Sequence, residues 1–368
     1  MAAKLTTGLI FKALFLKNQE VRFVSLAYKL PIRRYATKLA EVGVLETPKS
    51  QGKYETGQLF LHKVFGYRGV VLFPWIGKIY DRDLAFKDEK SSSTSSFTIN
   101  KDVKAKILTY YQVLMDTRDS PHVRVGTETV TFLSNQDNNS TLYSIPGLDY
   151  IAHEDILPYK TSDEQPIKNH LFQKFFSSAV KNGVLMARES LQDWQSKNYA
   201  WLELTDIHRE TTKNIRVTVM PFYIGSRAPV QSKRVRSRAR RRRSLNRGDL
   251  SREVQQTRVY WWRYCIRIEN LGDESVQLRE RHWRIFSLSG TLETVRGRGI
   301  VGQEPVFTKS QPAFQYTSHV SLQAPSGHMW GTFKMEKSDG SSFECRVPPF
   351  SLESKPEDNS STPHAFLT

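Results

Sequence analysis

The sequence predicts a mainly β protein built as two units, a small barrel and then an antiparallel sandwich, joined by a short helical connector. Three observations predict this. Short apolar runs separated by glycine, proline and asparagine turns occupy 53–159 and recur from 214 to 350. Between them, over 166–200, the apolar residues recur at helical spacing. The later run has roughly seven short strands and no helical pattern, the signature of a sandwich.

The composition can build cores of this kind. Of 368 residues, 39% are hydrophobic, with 20 Phe, 15 Tyr and 7 Trp, which excludes a chain disordered throughout. The formal net charge of +17 favours acidic partners: nucleic acid, anionic membrane or acidic protein surfaces. That charge is uneven, because residues 233–247 alone carry nine Lys or Arg. No run is long and apolar enough to span a bilayer as a helix.

Residues 1–51 read as a leader and its extension. Lys4, Lys12, Lys17, Arg22, Lys29, Arg33, Arg34 and Lys38 stand against one acid in 1–40, Glu20. A basic, acid-poor, partly apolar leader fits a mitochondrial presequence. Arg33-Arg34-Tyr35-Ala36 matches an arginine-minus-three cleavage pattern, with processing between Tyr35 and Ala36. The rival is a secretory signal over Leu9–Leu16 with Ser25-Leu26-Ala27. Lys12 interrupts that apolar run and basic residues continue past it, so mitochondrial targeting is the favoured reading.

Residues 52–160 form the barrel. Gln58–Val64 and Gly69–Trp75 are apolar strands around Phe65-Gly66-Tyr67-Arg68, where glycine permits a tight hairpin. Ser91–Ser96 reads as a loop, and strands resume at 110–115, 129–133 and 141–145, with 153–159 closing the unit. In 161–204, Leu171, Phe172, Phe175 and Phe176, then Ala187, Leu191 and Trp194, give the helical connector. Residues 205–352 form the sandwich, which opens on Asn214–Ile224 and is interrupted by a basic insertion, 226–257. Strands then follow at Tyr260–Glu269, Val276–Phe286, Phe314–Leu322, Met329–Met335 and Ser342–Val347. The polar tail 353–368 is expected to be disordered.

Two stretches resemble known families. Lys53–His62, Phe65–Val71 and Tyr111–Met115 resemble the YccV/HspQ type of domain, labelled hemimethylated-DNA-binding, which implies a small SH3-like β-barrel. Ile266–Leu271, Val276–Leu278, Arg281–Trp283, Val295–Gly297 and Pro348–Ser351 resemble ApaG, which implies a fibronectin-III-like sandwich. The two in this order, behind a mitochondrial leader, resemble a family of noncatalytic adaptors. The resemblance implies contacts with a DNA polymerase delta subunit, the sliding clamp and the ClpX unfoldase, in the mitochondrial matrix and also the nucleus. It brings no catalytic residues. ApaG domains join their first two strands by a much shorter loop than Gly225–Thr257, so the insertion lies outside the resemblance.

No motif carries a reaction centre. Gly297, Gly299 and Gly302 spell G-x-G-x-x-G, but Gln303-Glu-Pro-Val306 cannot open the helix that a dinucleotide site needs. Turn glycines are the better reading. The histidines are scattered and no Cys or His pair has metal-ligand spacing, so neither metal nor cofactor is expected. Glu280 and His282 share a strand face without a nucleophile beside them. Cys265 and Cys345 fall on opposite strand phases, which opposes a disulfide.

Two binding candidates remain. Arg238, Arg240, Arg241, Arg242 and Arg243 would neutralise phosphates of DNA or RNA, or serve as a nuclear import signal, or form a solvated insertion without a role. Tyr260, Trp262, Tyr264, Ile266 and Ile268 form the inner face of one strand, leaving Trp261, Arg263 and Arg267 outside. That outer stripe is either a protein contact surface or the packing surface between the two units. The expected function is a monomeric, noncatalytic adaptor, with nucleic-acid binding as the alternative.

Overall fold

β4 (Arg68–Asp81) is the strand on which the two halves of the molecule meet. The computed structural model of the chain describes residues 10–14, 39–83, 105–125, 128–133, 142–181, 183–227 and 258–355. In chain order before and after β4 come β1 (Ile10–Leu14), β2 (Leu39–Leu45), β3 (Leu59–His62), β5 (Ala105–Met115), β6 (Glu128–Leu133), β7 (Leu142–Pro146), β8 (Leu148–Ala152) and β9 (Ile156–Lys160). The expected cleavage site Tyr35–Ala36 and the arginines 238–243 lie outside the described residues.

β9, β3, β4, β5 and β8 pair in that order, all antiparallel, and the sheet is barrel-like without closing. Its hairpin turns at Gly66, φ +74°, a left-handed conformation that favours glycine. Inside the curl, Phe60, Tyr67, Val71, Tyr111, Val113 and Ile151 pack with Tyr54 and Ile156. Among the described residues β6 and β7 pair with each other and do not extend this sheet, as the sequence pattern implied they would.

The connector is less helical than its apolar spacing predicts. α1 (Phe172–Phe175) is a single turn, and the chain then forms a hairpin, β10 (Phe176–Lys181) with β11 (Val184–Ala187). Only then does α2 (Glu189–Leu202) follow, burying Leu191, Trp194, Trp201 and Leu202. The reason is local: Asn182-Gly183 is a strong hairpin signal, Gly183 sits at φ +82°, and one apolar turn cannot sustain a helix alone. The hairpin docks on the barrel-like unit where Gly57, φ +93°, approaches so closely that a β-carbon would collide with the Leu185 carbonyl.

The sandwich is made of β12 (Asp206–Thr212), β13 (Ile215–Arg227), β14 (Val259–Asn270) and β18 (Ala313–Leu322) in one sheet. β16 (Leu292–Arg298), β15 (Val276–Ser287), β19 (Ser326–Lys337) and β20 (Ser342–Glu353) form the other, with β17 (Val306–Phe307) on β15. Trp262, Tyr264, Ile266, Ile268, Trp283, Phe333, Phe350 and Cys345 fill the space between the sheets. Glu353 ends β20, and Lys355 Nζ pairs with Glu203 at 2.6 Å, so the first residues of the expected tail carry structure; residues 356–368 lie outside the described residues.

β4 links the units. One of its edges pairs with β5 along nearly its whole length. The other pairs with β3 at residues 68–70 and with β12, in parallel, at Lys78–Asp81. Two strand edges that would otherwise be exposed are thereby covered, and a single eleven-stranded sheet runs through both units.

Candidate functional site

The outer face of β14 meets the barrel-like unit through charged groups. Strand alternation sends Arg263, Cys265 and Arg267 away from the sandwich core. Arg267 Nη1 donates to Asp155 Oδ2 at 2.7 Å, and its Nη2 donates to Glu269 Oε1 at 2.9 Å. Arg216 on β13 donates through Nε to Glu269 Oε2 at 3.1 Å. Burial opposes the charge on Arg267, but Glu269 and Asp155 outweigh it and hold its pKa above the ordinary arginine value.

Asp149 of β8 forms the second polar node. It accepts from the Tyr67 hydroxyl at 2.7 Å, from Gln315 Nε2 at 2.8 Å and from the Tyr150 amide at 2.8 Å. Gln315 belongs to β18, so this bond also crosses between the units. Burial raises the Asp149 pKa in spite of its donors. Arg263 lies with its guanidinium 3.8 Å from the Phe222 ring centre, and burial lowers its pKa.

The outer stripe is therefore not a free contact surface. Arg263 and Arg267 are 1% and 8% exposed, because β8 and its neighbours cover them; Trp261 alone keeps partial exposure, against His319. Beside the junction a cleft of about 400 Å³ is walled by Lys63, Val64, Glu154, Asn270, Leu271 and Pro312 with the paired Asp155, Arg216 and Glu269. Asp155 in its wall is bonded to Arg267 across the junction, while Arg216 and Glu269 pair within the sandwich. Among the described residues, no group of three or more His, Cys, Asp or Glu is placed to hold a metal. Gly299 and Gly302, at φ +56° and +76°, make a tight turn closed by an Ile300–Gln303 bridge, and no helix follows.

A different face carries uncompensated charge. On the outer side of β15, His282 stands between Arg296 of β16 and Thr332 of β19, and Arg284 stands between Thr294 and Trp330. Arg284 and Arg296 are exposed and make no ion pair with the described residues. Burial, then Arg296 and Arg284, push the His282 imidazole below its usual pKa. In the sequence, Arg284 and Arg296 stand at the phase opposite Trp283 and Val295, a usable signal that the more aromatic β14 obscured.

Comparison with known proteins places these surfaces in a family. A model described as hemimethylated DNA-binding protein YccV like matches residues 52–183, and the ApaG domain model matches residues 250–337. Proteins named polymerase delta-interacting protein 2 from Mus musculus and Homo sapiens are each 58% identical over 323 residues, 87% of this chain and 81% of theirs. The chain belongs to the polymerase delta-interacting protein 2 family. Protein ApaG of Rhodospirillum centenum is 37% identical over 148 residues, covering 40% of this chain and 94% of its own.

In this member of the polymerase delta-interacting protein 2 family, the two matched segments share their boundary chemistry. Asp149 and Asp155 come from the YccV-like segment, and Arg267, Glu269 and Gln315 come from the ApaG segment. β12 and β13 both precede the ApaG match, yet they complete its first sheet and carry the join to β4. The relatives' names describe interaction and domain type, and none names a reaction.

Proposed function

We propose that this chain is a noncatalytic adaptor that binds a DNA polymerase delta subunit, the sliding clamp and the ClpX unfoldase. It acts in the mitochondrial matrix, with a nuclear pool. The observation that carries the reading is the 58% identity, across both modules, to proteins named for an interaction with polymerase delta. The shared sheet supports it, since a fixed pair of modules presents separate surfaces in constant relation to one another. Purified residues 36–368 should capture these partners from mitochondrial and nuclear fractions; a chain that captures none of the three defeats the reading. Terminal sequencing of the native protein should find Ala36 first if the leader is cleaved as proposed.

The second reading is nucleic-acid binding. It is favoured by the description of the family model over 52–183 and by the nine Lys or Arg of 233–247. Deleting 233–247 should weaken duplex DNA binding and flatten its salt dependence, because fewer counterions are released. Unchanged binding removes the insertion from that role.

A further inference from the structure

We propose that β16 is a docking edge for an extended acidic segment of a partner protein, which adds to it as a further antiparallel strand. The inference rests on the adaptor reading and names a surface that such an adaptor would use.

β16 is an end strand, and among the described residues it pairs on one side only, with β15. The phase of that pairing follows from its two ends. Ser287 N–H donates to the Thr291 carbonyl, and Gly299 N–H donates to the Arg279 carbonyl. Hydrogen-bonded and non-hydrogen-bonded pairs alternate along an antiparallel ladder. The odd-numbered residues of β16 therefore turn their amides towards β15, and Leu292, Thr294 and Arg296 turn theirs outward. Folded proteins ordinarily blunt such an edge with a proline, a bulge, charged side chains or a covering element. β16 has no proline, and its register with β15 runs from Glu280↔Arg298 to Phe286↔Leu292 without a shift. Its charges, Glu293, Arg296 and Arg298, select the partner's charge, and at its end the Arg298 carbonyl accepts from Arg281 Nη1 at 2.9 Å, which confines the docking edge to Leu292–Arg296.

The side chains indicate what an added strand would carry. Leu292 is 57% exposed and Val295 40% exposed, one on each face of the strand, so apolar groups are available above and below the edge. On the outer face, Arg296 and Arg284 have no acidic partner among the described residues. A segment pairing with Thr294 and Arg296 would bring its outward side chains beside these two cations, where Glu or Asp is favoured. β16 carries no aromatic residue, and the half-buried Trp330 lies two strands away, which disfavours stacked bases as the occupant. Adding a strand to an exposed sheet edge is a common mode of peptide capture.

The test uses the full chain and a fluorescein-labelled ten-residue peptide of alternating glutamate and valine, with an alternating lysine and valine peptide as control. Fluorescence anisotropy should show binding of the acidic probe only. Thr294→Pro removes an outward amide without removing a bond to β15, and should weaken binding at least tenfold. Arg296→Glu should do the same. Because the proline could loosen the edge, hydrogen exchange on the unaltered protein supplies a second readout. The probe should slow exchange at Leu292, Thr294 and Arg296.

Protection elsewhere, or equal binding by Thr294→Pro, overturns the inference. So does displacement of the probe by a twenty-residue oligothymidylate whose own binding falls in Arg296→Glu and not in Thr294→Pro. That result would assign the face to nucleic acid. If the wild-type chain and Thr294→Pro capture the polymerase delta subunit equally, the adaptor reading stands for that partner and the edge is not its site. If no partner is captured but the acidic probe binds β16 as described, the edge stands and the adaptor's partners fall.

Discussion

Arg263 of β14 and Arg284 of β15 each follow a core tryptophan, Trp262 and Trp283, and each points out of the sandwich. Arg263 is 1% exposed beneath the barrel-like unit, whereas Arg284 faces solvent on the opposite sheet. The same contrast separates Arg267, tied to Asp155 and Glu269, from Arg296, which has no ion pair among the described residues. Alternation determines which way a side chain leaves its own sheet. What it then meets depends on whether another unit docks there. A basic residue on an outer strand face thus faces solvent in one half of this sandwich and is an internal clamp in the other.

The contrast breaks most directly at Arg267. Arg267→Ala should cost about 3–5 kcal/mol, because it leaves Asp155 buried without its cation and removes one of Glu269's two arginines. Arg284→Ala should change stability by less than about 0.5 kcal/mol, the usual range for an exposed position. Urea unfolding of the two variants checks both values. Equal effects would mean that the outer faces of the two sheets are energetically alike.

The join between β4 and β12 should also be sensitive to pH. His208 of β12 stacks on Tyr80 of β4, ring centres 5.1 Å apart, and burial with nearby Arg82 lowers its pKa from 6.5 to about 4. Unfolding frees the imidazole to bind a proton at its ordinary value. Stability contributed by this neutral histidine is therefore present above about pH 6.5 and lost as the pH falls towards 4, by on the order of 3 kcal/mol. His208→Gln should flatten that part of the stability–pH curve. An unchanged slope would show that the join does not hold His208 neutral.

Asp149 responds in the opposite direction. Its pKa is raised by burial, so its contribution declines as the pH rises from the usual carboxylate value, 3.8, through the folded value. Tyr67→Phe removes a donor from this enclosed carboxylate and should cost about 1–3 kcal/mol at neutral pH. The effect should shrink in acid, where Asp149 is protonated, and melting curves at two pH values test this.

The smallest effect concerns the two thiols, which sit in different cores and are pushed up to about 12 by burial. In the native protein at pH 8 both should react far more slowly with a disulfide reagent than in urea. Cys265 should become the faster of the two in Arg267→Ala, because loosening the junction exposes it first. Equal rates would argue that the units do not separate before the sandwich opens.

Much of the local architecture was legible. The period-two run at 260–268 predicts which residues face inward, and Trp262, Tyr264, Ile266 and Ile268 lie in the sandwich core. Gly66, Gly290 and Gly299 mark turns because each adopts a positive φ. The hairpin β10–β11 was hidden because Phe172, Phe175 and Phe176 mimic a helical face, although Asn182-Gly183 held the contrary signal. The parallel pairing of Lys78–Asp81 with Asp206–Arg209 had no local mark, since a strand's edges carry backbone groups that are alike in every sequence.

Sequence by itself determined the strands, their inward faces, the tight turns and the basic character of the chain, because these depend on neighbours within a few residues. Tertiary structure alone decided that β4 would share its edge with β12, and that Asp149 and Asp155 would lie opposite Gln315 and Arg267. That pairing depends on which edges and charges from distant segments come together. It left Arg263 and Arg267 inside the molecule, and Arg284 and Arg296 outside it.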